Sequence, residues 1–305
     1  MTDGLARLAA VDGTGFSWNP VVDWQELTRD AFMREALLAG TIAALVCGVV
    51  GYFVVLRGLT FAADALTHMG FAGASGAVLA GLSPIAGLMT MTAATAVGIG
   101  ALEQRLRERD VVIGMILVEA LGLGVLFLRL SSGYSNQTYA LLFGGILALS
   151  SHDLVVLGAA GVAALAATVT IFRPLLFASL DDEVAQSRGV PVRRLAVAFM
   201  LVLAIAAAAA TQVIGALLAV ALIVAPAASA QRLTSRPGVA VLLSVSLALL
   251  VTWLGIAIAF WEPYPVSFFI TSLCAVTYGI ARGVAGVGAL RSHALSARPA
   301  EPVAA

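Results

Sequence analysis

Asp64 and His68 stand four residues apart within FAADALTHMGFAGASGAVLAG, residues 61–81, a stretch otherwise apolar enough to cross a membrane. Four residues is just over one helical turn, so both side chains share a face, about 6 Å apart at Cβ. A charged group at the centre of a bilayer costs roughly 2.5–3.5 kcal/mol or more, so an acid kept there is by default functional. A carboxylate oxygen beside an imidazole nitrogen suits a divalent transition metal. A second acid, Glu119, falls near the middle of another apolar run, VVIGMILVEALGLGVLFLRL. It is a candidate partner of His68, a candidate lining or proton-binding residue of the same pathway, or a structural hydrogen-bonding group.

The elements that must position these residues are membrane-spanning. Of the 305 residues, 61% are hydrophobic and 11% charged, with a mean hydropathy of +1.01. Soluble domains run near 45–50% apolar and 25% charged, so the fold class is all-α, a polytopic helical bundle in a bilayer. A crossing needs about 20 mostly apolar residues. The sequence predicts crossings at 36–56, 61–82, 84–103, 111–130, 153–174, 192–213, 215–232, 239–261 and 266–287. The sixth and seventh are separated only around Thr211–Gly215. Residues 134–150 are apolar but short and carry Gly144–Gly145, which predicts a re-entrant or interfacial piece. The second crossing is crowded with small residues (Gly70, Gly73, Gly76 among them), and small faces let helices pack closely in lipid.

Arginine placement sets orientation. The 17 basic residues are all Arg; there is no Lys. Thirteen of them (57, 105, 107, 109, 173, 188, 193, 194, 232, 236, 282, 291 and 298) fall at alternate loops and the C-terminal tail, and four (7, 29, 34 and 129) on the opposite side. The C-terminus is therefore expected in the cytoplasm and the N-terminal segment outside, with nine crossings. Residues 1–30 read as a polar extracytoplasmic segment without a cleavable signal pattern, 31–290 as the transmembrane domain, and 291–305 as a disordered cytoplasmic tail. The missing Lys excludes a phosphate-cradling Gly-x-x-x-x-Gly-Lys-Ser/Thr loop, so any ATP hydrolysis belongs to another subunit. His-Glu-x-x-His is also absent, which argues against an intramembrane metalloprotease. Cys47 and Cys274 lie far apart in apolar segments and read as small buried residues.

Two further segments stand out. In LLFASLDDEVAQSRGVPVRRL, Asp181, Asp182 and Glu183 precede Ala185 and Gly189, which predicts a short capped cytoplasmic helix suited to docking a soluble partner, or a plain solvated loop helix. In VIGALLAVALIVAPAASAQRL, Pro226 interrupts an apolar run and predicts a helix kink.

Together, residues 32–83, 179–194 and 211–236 resemble the permease subunits of ABC transporters that import zinc, manganese or iron. The resemblance covers most of 31–290, and the Asp–x–x–x–His pair and the Pro–Ala–Ala segment are its most specific parts. It implies a multi-pass cell-membrane permease, not an enzyme, working as a homodimer with two cytoplasmic ATP-binding subunits and an extracytoplasmic metal-binding protein. No nucleic-acid partner and no permanently bound cofactor are implied; zinc or manganese is the transported substrate. The family's metal-contacting residues fall on Asp64 and His68, and its ATPase-coupling helix on Asp181 to Gly189. Family members commonly carry Gly before the Asp and Pro before the Gly at the position of Gly73, where this chain has Ala63 and Ala72. The alternative expectation is a carrier driven by an ion gradient, with Asp64, His68 and Glu119 as a proton relay.

Overall fold

The computed structural model describes residues 31–102, 109–131, 142, 144–146, 150–261 and 264–296, with side chains as far as 286 apart from those of residues 102 and 109. Ten helices make up these residues: α1 (Ala31–Leu56), α2 (Thr60–Leu79), α3 (Pro84–Leu102), α4 (Arg109–Leu130), α5 (Ser151–Leu180), α6 (Asp182–Ser187), α7 (Val192–Ile214), α8 (Ala219–Leu233), α9 (Pro237–Trp261) and α10 (Val266–Ser296). Seven of the ten are long and apolar enough to cross a bilayer; α2, rich in Gly and polar atoms, and the 15-residue α8 are the two weaker crossings. Residues 1–30 and 297–305 and most of 134–150 fall outside the described set, as do Glu103, Arg105 and Arg107.

Side-by-side contacts fix the direction of each helix. Phe53 meets Phe199 and Cys47 meets the Ala206 carbonyl, so α1 and α7 run antiparallel. Ser244 donates to the Gly48 carbonyl at 2.7 Å, and Thr252 packs on Gly40, so α9 is antiparallel to α1 as well. Ala74 clusters with Ala208, late in both helices, so α2 runs with α7 and against α1. Phe61 lies over Gly114 and Phe71 over Gly124, so α2 and α4 run parallel. Ile42 packs on Gly161 and Phe53 on Phe172, so α5 runs with α1. With these directions Leu130 and Ser151 lie on one side, as expected if 134–150 makes no crossing. The described residues of that piece pack there: the Leu142 carbonyl accepts from Leu217 N, and Ile146 is buried against the core.

The core is built around α1 and α7, with Ala36, Ala43, Val50, Phe53, Leu203 and Ala210 each fully buried or nearly so. The expected seventh crossing is a separate helix. α7 stops at Gly215, whose φ of 89° places it beside the Leu142 carbonyl, a conformation that favours glycine. α8 then turns back, and its Gln231 Nε2 donates to the Tyr52 carbonyl at 2.8 Å, near the end of α1. Pro226 lies inside α8, which continues unbroken to Leu233. The fifth crossing extends beyond the expected end at 174: α5 runs through Pro174 to Leu180. A transmembrane helix tolerates the lost N–H because neighbours re-satisfy the freed carbonyl. α10 likewise continues past 290 to Ser296.

Gly51 carries a specific burden. Its Cα faces the Ile223 carbonyl and the Ala227 side chain across the α1–α8 contact, and any Cβ would collide with that carbonyl oxygen. Gly51→Val is expected to separate the helices and cost about 1–3 kcal/mol through overpacking. The check is a lower melting temperature in detergent for purified G51V. Gly98→Val is the control, because an added Cβ at Gly98 on α3 would meet nothing.

Candidate metal pathway site

Local sequence dictates where the pair sits. After α1 ends at Leu56, Gly58 turns the chain at φ 65°, and α2 begins at Thr60. Asp64 lies one turn in and His68 two turns in. Around them α2 is buried on almost every side: Ala62, Ala63, Ala65 and Leu66 are inaccessible. α3 approaches through Gly73 and Gly87, where each glycine faces the other's carbonyl and neither could carry a side chain without a shift. α4 approaches through the Phe71 ring on Gly124 and the Phe127 ring on Gly76. α7 closes a third side, with Ala208 against Ala74.

His68 Nε2 lies 3.5 Å from Asp64 Oδ1, and the side chains are 7% and 33% exposed respectively. That separation is an electrostatic contact, longer than the usual range of an N–H···O bond. His68 Nδ1 is buried without a hydrogen-bond partner. Thr67 Oγ1 donates to the Asp64 carbonyl at 2.8 Å, leaving the carboxylate to the imidazole. A buried polar atom without a partner costs about 1–3 kcal/mol. The pair is thus under-satisfied within one chain, with one imidazole nitrogen free and one carboxylate reached by a single neighbour. Among the described residues no group of three or more His, Cys, Asp or Glu side chains could hold a metal ion.

The structure does not bring Glu119 to this pair. It lies on α4, exposed, with no hydrogen bond or ion pair to a described residue. α4 turns Ile113, Ala120 and Leu128 inward, and Val118 and Glu119 outward. The acidic segment forms as expected: Asp181 Oδ1 accepts from Val184 N at 3.0 Å, α6 spans Asp182–Ser187, and Gly189 ends it with φ 84°. Asp182 and Glu183 are exposed, whereas Ala185 is fully buried and anchors the helix to the bundle. Residues that the sequence did not single out include Arg232, whose guanidinium lies 5.5 Å from the Tyr278 ring centre. An Arg brought to a Tyr by the fold, with no short chain separation between them, gives no signal in one sequence.

The chain is similar to known membrane transport proteins. The family described as "ABC 3 transport family" matches residues 29–284. A manganese transport system membrane protein, MntC of Halalkalibacterium halodurans, is 33% identical over 214 residues, covering 70% of this chain and 73% of its own. The manganese import system permease protein ScaB of Streptococcus parasanguinis is 30% identical over 266 residues, covering 87% and 95%. A solved structure of PsaBC from Streptococcus pneumoniae in complex with Fab superimposes with a TM-score of 0.77 at 26% identity, covering 86% of this chain and 94% of that one.

The Asp181 cap gives a direct structural check. Asp181→Ala is expected to cost about 1 kcal/mol of local stability, the usual worth of an N-cap. Hydrogen exchange at the Val184 amide should accelerate about five- to tenfold, with exchange in α1 and α7 unchanged.

Proposed function

The chain belongs to the ABC 3 transport family and is a multi-pass membrane permease of an ATP-driven metal importer; from that premise we infer that manganese is its cargo and that Asp64 and His68 are the cargo's ligands. Family membership sets aside the gradient-driven alternative and places ATP hydrolysis in partner subunits. The single observation supporting the site assignment is the under-satisfied pair on α2: a buried imidazole nitrogen with no partner beside a half-open carboxylate. Groups left short of partners inside a bilayer make sense when a passing cation supplies the missing contact.

One chain offers one oxygen-donor group and one nitrogen-donor group, fewer than a transition metal takes. Two copies related by a two-fold axis would present two of each. Such a shell, completed by water, suits manganese through its carboxylates, and the manganese systems among the relatives favour that ion. Zinc is the second reading, because two imidazoles and two carboxylates also make a tetrahedral site. The binding must stay weak enough for the ion to leave.

ATP-driven movement would enter through α6. It joins α5 to α7, exposes Asp182 and Glu183 on the arginine-rich cytoplasmic side, and is anchored inward by Ala185. A rigid capped turn between two spanning helices passes a push from a soluble ATPase to both. An extracytoplasmic metal-binding protein would deliver the ion at the opposite face, and α8 with Pro226 would lie along the moving region.

Two measurements test this reading. Uptake of radioactive manganese and zinc into cells carrying Asp64→Asn or His68→Ala should fall by about tenfold or more, the expected result of losing one ligand of a small shell. Unchanged uptake of both ions at normal protein level would remove the site. In the reconstituted complex, replacing Asp182 and Glu183 together with Ala should leave the basal ATPase rate intact and abolish its stimulation by the loaded binding protein. Full stimulation would remove the coupling role of α6.

A further inference from the structure

Two features of this chain remain without partners among the described residues. The first is Glu119. The in-register contacts Phe61–Gly114 and Phe71–Gly124 place it at the depth of Leu66, about 9 Å along α2 from Thr60. It lies on the exposed side of α4 with Val118, Gly122, Val125 and Leu126. Among the described residues α4 packs substantially on α2 alone, so the opposite face is bare. A carboxylate in that place is expected to meet a cation, a cavity or a hydrogen-bond donor.

The second is a groove of about 380 Å³ between α8 and α10, lined by Ala221, Ala225 and Ala228 on one wall and Cys274, Ala275 and Tyr278 on the other. On α10 the stripe Thr271–Ala275–Tyr278 continues at helical spacing to Arg282, which is exposed and has no hydrogen bond or ion pair to a described residue. Arg232 lies over Tyr278 at the same end. The groove is thus apolar along its length and cationic at its cytoplasmic mouth. Arg282 lies twelve residues beyond Ile270, which packs on Gly255 of α9. Gly255 is eighteen residues beyond Pro237 at the start of α9. Counting up one helix and down the other leaves Arg282 about 9 Å inside the level of Pro237, as Glu119 is inside that of Thr60.

We propose that α4 of a second copy lies along the α8–α10 groove and that its Glu119 pairs with Arg282. A two-fold axis along the membrane normal preserves depth, so only groups at equal depth meet across it. Glu119 and Arg282 have opposite charge and matching depth, and small groove residues face the aliphatic side of α4. A phospholipid in the groove would satisfy Arg282 through its phosphate and leave Glu119 bare; a second copy satisfies both, twice over. The inference rests on the reading of this chain as one of two copies around a shared ion path, and names the contact that aligns them.

The test uses full-length chains with Cys47 and Cys274 replaced by Ala. One chain carries Glu119→Cys, a second carries Arg282→Cys, and the two are co-expressed. A Glu–Arg pair holds its Cα atoms further apart than the roughly 7 Å a disulfide spans, so a short bismaleimide is the linker, applied to membranes without metal. A covalent dimer from the mixture, and from neither chain alone, is the expected result. No dimer from the mixture overturns the proposal, as does an equal dimer from Glu119→Cys alone, which would set α4 against α4. So does native mass spectrometry showing a phospholipid retained through Arg282 with no cross-link. Charge exchange provides the second arm: Glu119→Arg and Arg282→Glu should each lower uptake about fivefold or more, and the combined variant should return to within about twofold. Failure of the combined variant to recover, with its membrane level normal, counts against the pair. Because cross-linking needs no cargo, an intact cross-link alongside normal uptake in Asp64→Asn would sink the ligand assignment and leave this contact standing.

Discussion

Hydrocarbon offers no hydrogen bonds, and this chain keeps an acid and an imidazole one turn apart in a helix that must cross it. The rest of the bundle follows from covering that helix. Lipid tails give no hydrophobic driving force between helices, so α2 is held by close approach, and close approach needs glycine. Gly73 and Gly87 let α2 and α3 touch backbone to backbone, and Gly124 and Gly76 receive the Phe71 and Phe127 rings between α2 and α4. The aliphatic content that would have made α2 a strong spanning segment has been exchanged for small residues. Its stability therefore lies in its neighbours, and its polar pair is fixed in place by their packing.

The same constraint explains the irregular backbone. α7 and α8 could have been one long helix by hydropathy, yet the chain breaks at Gly215 and reverses. The turn at Gly215 is covered by protein: the Leu142 carbonyl accepts from Leu217 N, and Ile146 is buried in the core. α8 is only 15 residues long and is stitched to α1 by the Gln231–Tyr52 hydrogen bond and by the bare Gly51 surface beneath the Ile223 carbonyl. Pro226 is buried among these contacts, and just beyond it Ser229 Oγ donates to the Ala225 carbonyl at 2.7 Å.

Element existence is legible because a crossing has a length and a composition, and both are visible in one sequence. The nine apolar stretches, the capped turn at Asp181 and the reversal near Gly215 all leave local signals of charge, Gly or Pro. The facing of each helix leaves almost none. In a soluble bundle the polar side marks itself, but when nearly every position is apolar, lipid-facing and core-facing residues are the same types. That is why Glu119 reads equally well as a pathway residue and a buried structural one, and why its exposed position on α4 needs coordinates. The crossing read from the sequence, 153–174, ends at Pro174, whereas α5 continues to Leu180, because a proline removes one helical hydrogen bond without forcing a membrane helix to stop. The Asp64–His68 pairing is readable from spacing alone, whereas the unpartnered Nδ1 of His68 is not, since an empty hydrogen-bond site has no sequence signature.

An ion path must bind and release the same cargo, and a half-site is one way to do both. Asp64 and His68 of one chain hold too few donors to keep a transition metal. If two copies share the ion as proposed, affinity depends on the distance between them rather than on any side chain within one. On that proposal, a movement that separates or twists the copies would lower affinity without breaking a bond in either, and a soluble partner would need to grip only α6 to cause it. Rigid packing of α2 and weak binding at its polar pair would then be parts of one arrangement: with the pair fixed in each chain, relative motion of two chains would decide when the cation is held.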